Sequence, residues 1–155
     1  MKQYLEKLKV DNKKEIYELI IDELWDKCED GRYIDRLNEV EKPLIISQII
    51  QDNINGGGIN SFFYNNANSL ISQGLVVFQK IGLTKVDDIF QKAIEIYPAK
   101  TIPDDLEECR KILEDLPEDN EVDEEWYKLS DEFYQLGEYI LNQNLLYVTE
   151  NIEQF

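Results

Sequence analysis

The sequence predicts an all-α fold, a single-domain multi-helix bundle over residues 1–155, and three observations carry that prediction. Apolar residues recur at i, i+3 and i+4 through most of the chain, the spacing of one helix face. Prolines and glycines stand where these periodic runs start and stop. No stretch alternates apolar and polar residues for long enough to make a strand, and neither a repeat nor a linker interrupts the chain. Hydrophobic residues make up 43% and aromatics 11%, enough for a real core. A chain of this length can bury about 68–70% of its unfolded surface.

The elements follow in order. Ile16, Leu19, Ile20 and Leu24 predict an amphipathic helix over 13–28, ended by Asp30-Gly31. Pro43 suits the first turn of a second helix, which Leu44, Ile45, Ile46, Ile49, Ile50 and Ile54 make apolar on most sides, the mark of a central position. Gly56, Gly57 and Gly58 should break it, as a tight helix-to-helix turn with φ > 0. The asparagines around them (Asn53, Asn55, Asn60, Asn65, Asn66 and Asn68) read as caps of neighbouring helix ends. A short aromatic segment, Phe62-Phe63-Tyr64, comes next, followed by a helix over 69–81 and another from Thr84 to Pro98. Thr84 and Asp87 resemble a capping box.

Pro103 should open a first acidic helix, with Leu106, Cys109, Ile112, Leu113 and Leu116 inward and Pro117 as its stop. Residues 118–125 read as an acidic connection. A second acidic helix is expected over 123–142, with Trp126, Leu129, Phe133, Leu136 and Ile140 inward. The acidic helices thus fall within 103–142. Core packing is the expected place for Phe62, Phe63 and Tyr64, and for Trp126, Tyr127, Phe133, Tyr134 and Tyr139.

Charge is the main functional clue. The net charge is −17, and it is concentrated. Between residues 104 and 132 stand Asp104, Asp105, Glu107, Glu108, Glu114, Asp115, Glu118, Asp119, Glu121, Asp123, Glu124, Glu125, Asp131 and Glu132, opposed only by Arg110, Lys111 and Lys128. Such density destabilises the compact state by self-repulsion. A sequence pI of about 4.3 argues against direct binding to nucleic acid or anionic lipid, both polyanions. It favours a basic protein partner, cations, or plain solubility. These acids sit on the polar side of amphipathic helices, so a solvated face is one reading. The other is a fixed anionic lattice that stands in for phosphates, held to its partner by charge complementarity that salt weakens.

Other chemistries find little support. There is no histidine, which removes the usual nucleophile–base arrangements and the commonest metal ligand. A carboxylate-pair hydrolase needs one carboxylate buried, whereas these acids are expected outside. Asp26 to Gly31 superficially matches the start of a calcium loop, but Cys28 and Leu37 occupy positions that need oxygen ligands. Asn55-Gly56-Gly57-Gly58 lacks a preceding strand and a phosphate-binding lysine. Cys28 and Cys109 are too isolated for a zinc site or a disulfide framework and fit a reducing cytoplasm. No apolar leader and no membrane-spanning run is present, so a cytoplasmic protein without metal or cofactor is expected.

A set of motifs in fixed order adds a resemblance. Asn55-Gly56-Gly57 is followed by Phe62-Phe63-Tyr64-Asn65, then Lys80-Ile81-Gly82, Leu129-Ser130-Asp131-Glu132-Phe133-Tyr134 and Tyr139-Ile140. In these the chain resembles the bacterial DNA-mimic protein nineteen family over residues 41–145. The resemblance implies an all-α fold and no enzymatic activity. For the mimic member it implies an acidic surface that occupies the DNA site of a transcription regulator. It also implies that the Asn-Gly-Gly and Asp-Glu-Phe-Tyr motifs determine the fold, while the acids themselves form no motif.

The function expected is therefore a non-enzymatic one, in which the fourteen carboxylates bind a basic DNA-binding protein such as a transcription regulator. An immunity-type inhibitor of a toxin or nuclease is the alternative, and it would need an apolar anchor beside the acids. A solvated domain with no use for its charge is the third reading. A homodimer is left open.

Overall fold

The computed structural model describes residues 1–155, apart from the side chain of Val10. It is all-α, with eight helices and no strand among the described residues. They are α1 (Lys2–Leu5), α2 (Lys13–Lys27), α3 (Glu41–Asn65), α4 (Asn68–Ile81), α5 (Thr84–Ile96), α6 (Leu106–Glu114), α7 (Glu121–Tyr134) and α8 (Gly137–Glu150). Helix α3 is the hub. Helices α2, α4, α6 and α7 pack on it, α5 joins α4 to α7, and α8 closes against α2. Most of the aliphatic run predicted to be central is buried: Leu44, Ile45, Ile50 and Ile54 are at most 1% exposed, while Ile46 and Ile49 are half-buried.

The start of α3 is fixed by a reciprocal pair. The Asn38 side-chain oxygen accepts from Glu41 N at 3.0 Å, and the Glu41 carboxylate accepts from Asn38 N at 2.9 Å. This is capping-box chemistry. Glu41 is buried, and Lys27 reaches it from α2 at 2.6 Å. The pairing offsets the cost of burying the acid.

Three glycines were expected to end this helix, and one of them bends it. Only Gly58 leaves helical geometry, with φ 75 and ψ 179. Gly56 and Gly57 stay helical, and the chain resumes as helix through the aromatic segment to Asn65. An L side chain at Gly58 would be strained by its φ, and its Cβ would also meet Ser130 Oγ at 3.1 Å. The break frees backbone groups that α7 satisfies. Ser130 Oγ accepts from Ile59 N at 2.9 Å, and Tyr134 donates to the Ile54 carbonyl at 3.1 Å.

The asparagines were expected as caps, but Asn60 and Asn68 reach Asp123 and Asp104 across the fold, and others bond back along α3. Asn53, Asn65 and Asn66 each donate to the carbonyl four residues back. Only Asn66, at the end of α3, finishes a helix this way. The capping box at Thr84 does not form. Thr84 is already helical and lies 3.2 Å from the Tyr139 hydroxyl, while Asp87 accepts from Gln79 and Gln91.

Phe62, Phe63, Phe78, Phe90 and Trp126 make the aromatic centre of the core, with Phe63 stacked on Trp126 at 4.7 Å. Trp126 also donates from Nε1 to the Ala93 carbonyl at 3.0 Å. Tyr64, Tyr127 and Tyr134 depart from the expected packing: they are 37%, 64% and 45% exposed. Cys28 and Cys109 are both free and buried. No helix among the described residues is long and apolar enough to cross a membrane.

Candidate protein-binding surface

The acidic third of the chain folds as two short helices with different supports. Pro103 does not open α6. The helix starts at Leu106, and the Asp105 side chain caps it by accepting from Glu108 N at 2.9 Å. Asp104 accepts from Asn68 at 3.0 Å, and the Pro103 carbonyl accepts from Asn68 N at 2.9 Å. Asp105 thus starts α6, while Asp104 and the Pro103 carbonyl tie the segment before it to the start of α4. Cys109 is the one fully buried side chain of α6. Burial pushes its thiol pKa up, so it stays protonated.

Helix α7 begins earlier and ends sooner than expected. It starts at Glu121, inside what reads as an acidic connection, and stops at Tyr134. The predicted helix over 123–142 is two helices, joined through Gln135 and Leu136, with Ile140 on α8. Asn120 caps α7 by accepting from Asp123 N at 2.9 Å. The Asp123 carboxylate in turn accepts from Asn120 at 2.7 Å and from Asn60 at 2.6 Å. It is half-buried and ties α7 to α3.

Three more of the fourteen carboxylates are engaged. Glu107 pairs with Arg110 at 2.9 Å, and Glu125 pairs with Lys128. Glu114 accepts from the Tyr64 hydroxyl at 2.6 Å. That hydrogen bond raises the Tyr64 pKa first, with burial and the carboxylate's charge behind it. Arg110 is further occupied: it sits 5.3 Å from the Tyr64 ring centroid and donates to the Tyr64 carbonyl at 3.3 Å.

What remains is the sharper result. Glu108, Asp115, Glu118, Asp119, Glu121, Glu124, Asp131 and Glu132 are exposed and make no ion pair or side-chain hydrogen bond among the described residues. Two of the three nearby cations are already engaged. The residual field is therefore strongly negative and open to solvent. It is partly tolerated because Glu107, Glu108, Glu121, Asp123 and Glu124 lie in first helical turns, where the backbone dipole favours anions. Among the described residues no three acids or thiols gather in a way that would hold a metal ion.

Helices α6 and α7 pack onto α3 more than onto each other. Between them a cleft of about 390 Å³ is lined by Asn60, Ser61, Tyr64, Leu113, Glu114, Leu116, Asp123 and Trp126. Sequence reasoning missed it, because its walls come from three separate elements. It places apolar side chains directly beside carboxylates.

The class this defines is an all-α scaffold that presents an ordered acidic face. The chain belongs to a family described as DMP19-like protein, whose model matches residues 35–151. That match reaches beyond the 41–145 of the sequence resemblance and takes in the whole of α8. No curated protein and no solved structure matches the chain. Ser130 and Tyr134, from the Leu129–Tyr134 motif, hold the break at Gly58, the residue that follows Asn55-Gly56-Gly57.

Proposed function

We propose that this protein binds a basic DNA-binding protein by imitating the charge of DNA, and that it does so without catalysing a reaction. The observation that carries the reading is the set of eight exposed, unpartnered carboxylates on and between α6 and α7. B-DNA presents about one charge per 1.7 Å of axis. A helix returns acids to one face every turn, about 5.4 Å. The mimic is thus sparser than DNA, but its acids ride on helices whose inner faces are packed. A basic partner would bind through charge complementarity and counterion release, so raised salt should weaken it steeply.

The test is affinity capture from native lysate. Capture of a DNA-binding regulator that is released by duplex DNA and by salt supports the reading. Reversing Asp115, Glu118, Asp119 and Glu124 to Lys removes four free acids and leaves the carboxylates that hold helices together. Unchanged binding by that variant, with helicity intact, rejects this surface.

The nuclease-inhibitor reading draws on one specific observation, the apolar cleft between Tyr64, Leu113, Leu116 and Trp126. It could seat the stem of a basic side chain whose head meets Glu114 or Asp123. A captured partner that cuts nucleic acid and holds on at high salt would favour that alternative.

A further inference from the structure

The chain ahead of the family match packs as one piece. Residues 1–28 carry α1 and α2, and the match begins at residue 35. Helix α2 buries Ile16, Ile20, Ile21 and Leu24 and packs on α3 and α8. Its polar ties run to the same two helices. Tyr17 donates to Gln48 at 3.2 Å and accepts from Asn144 at 2.8 Å, and Lys13 donates to Asn142 at 2.8 Å. Lys27 reaches the buried Glu41, and Lys2 pairs with Glu153 at 3.0 Å. Each of these contacts joins residues 1–28 to residues beyond 40.

The turn that connects the two pieces is strained. Glu29, Asp30 and Gly31 follow one another with φ of 49, 54 and 82. Glu29 and Asp30 are the only non-glycine residues with positive φ among the described residues. L residues enter this left-handed region singly and at a cost, not in runs. Gly31 has no substitute here, because a Cβ would meet the Trp25 ring at 3.1 Å. The turn is closed by Asp30 N donating to the Trp25 carbonyl at 3.0 Å and Tyr33 N to that of Cys28 at 2.9 Å. Glu29, Asp30, Arg32 and Tyr33 are exposed, so water replaces these bonds when the turn extends. Straightening it releases the strain and carries α2 away from its own bundle.

Detachment alone is unfavourable. It bares the apolar face of α2 and the seat beneath it, and it leaves the buried Glu41 without Lys27, the costly case of an unpaired buried charge. What refills that seat, charge pair included, is another copy of α2. Reciprocal exchange keeps every contact between α2 and the bundle and alters only the turn.

We propose that this chain forms a two-fold dimer by exchanging residues 1–28, with α2 of each copy seated on α3 and α8 of the other and residues 29–31 as the hinge. The proposal does not rest on the acidic face or on the partner proposed for it.

The test uses the full chain, refolded from denaturant at high protein concentration and sized by light scattering. A dimer that persists on dilution is expected, because its return to monomer requires α2 to leave its seat. Unlabelled and isotope-labelled chains refolded together and treated with a carbodiimide should give a Lys2–Glu153 cross-linked peptide with one labelled and one unlabelled half. Asp30→Gly relaxes the closed turn and should weaken dimerisation roughly tenfold, whereas Gly31→Ala strains it further and should strengthen dimerisation by a similar factor. A monomer at every concentration, a dimer without mixed cross-linked peptides, or unchanged dimerisation in Asp30→Gly would overturn the proposal. If Gly31→Ala does not fold, Asp30→Gly decides alone, since glycine accepts the native φ at that position.

Discussion

Helices α6 and α7 carry similar acidic sequences on unequal foundations. Helix α7 buries Trp126, Leu129, Ser130 and Phe133 and packs against both α3 and α5. Helix α6 buries Cys109 alone and rests mainly on α3. The two therefore differ in what their acids can be asked to do. On α7 the anionic face is backed by the core of the molecule. On α6 it is held from its ends, by Asp104 and Asp105 at one and by the Tyr64–Glu114 contact at the other. Rigidity of the surface comes from α7 and reach comes from α6.

Substitutions can break or sharpen that contrast. The largest effect should come from Trp126→Ala, which removes a fully buried ring and its hydrogen bond to Ala93. A loss of about 3–5 kcal/mol is expected in chemical denaturation. A value near that of a surface substitution would show that α7 is not the anchor.

Next comes the glycine break. Gly58→Ala forces an L residue into positive φ against Ser130 Oγ, and should cost about 1–3 kcal/mol. Ser130→Ala leaves Ile59 N without its acceptor and should cost about 1–3 kcal/mol as well. Because both act on one contact, their combination should fall short of the sum. Full additivity in a double-mutant cycle would separate the break from its clamp.

Alkaline pH gives an intermediate effect. Burial raises the pKa of Tyr17, Tyr97, Tyr147 and Cys109 in the folded state. The unfolded chain then binds fewer protons than the folded one above the unperturbed values. Stability should be fully present below about pH 8.5 and fall as pH rises past about 10. Tyr17→Phe should flatten part of that decline. Over the same range Cys109 should resist alkylation until the protein unfolds, because the reactive thiolate is disfavoured. Rapid labelling at pH 8 would place that thiol in a less buried setting than α6 gives it.

The smallest effect on stability is expected for the four-lysine variant at Asp115, Glu118, Asp119 and Glu124. Removing like charges relieves repulsion, and a cation at 115, at the end of α6, suits its dipole by about 0.3–1 kcal/mol, which offsets a similar cost of a cation at 124 in the first turn of α7. Its melting should be unchanged or slightly raised. A large loss would mean that these acids hold the fold, contrary to their lack of partners.

Much of this was legible in the sequence, for identifiable reasons. The fold class followed from helical periodicity, and Leu44 to Ile54 marked the hub because a helix apolar on most sides has nowhere else to sit. The turn between α7 and α8 was not legible. Trp126, Leu129, Phe133, Leu136 and Ile140 keep helical spacing straight through it, so periodicity cannot register the change of direction. The glycine run announced a break but not its form, since Gly56 and Gly57 tolerate helix and only Gly58 departs from it. The outward acids were readable as one side of a stripe. Which of them are free was not, because Asn60, Tyr64 and Asn68 reach Asp123, Glu114 and Asp104 across the fold.

The break at Gly58 also bears on how the surface of this chain can be altered. The heading of the second half of α3, and with it the seat of α6 and α7, is set by one glycine and two hydroxyl groups. None of these is charged. Alignment and charge are thus written in separate alphabets. In this chain the carboxylates along the rim can therefore be exchanged, retuning the surface, without touching the frame that points them outward.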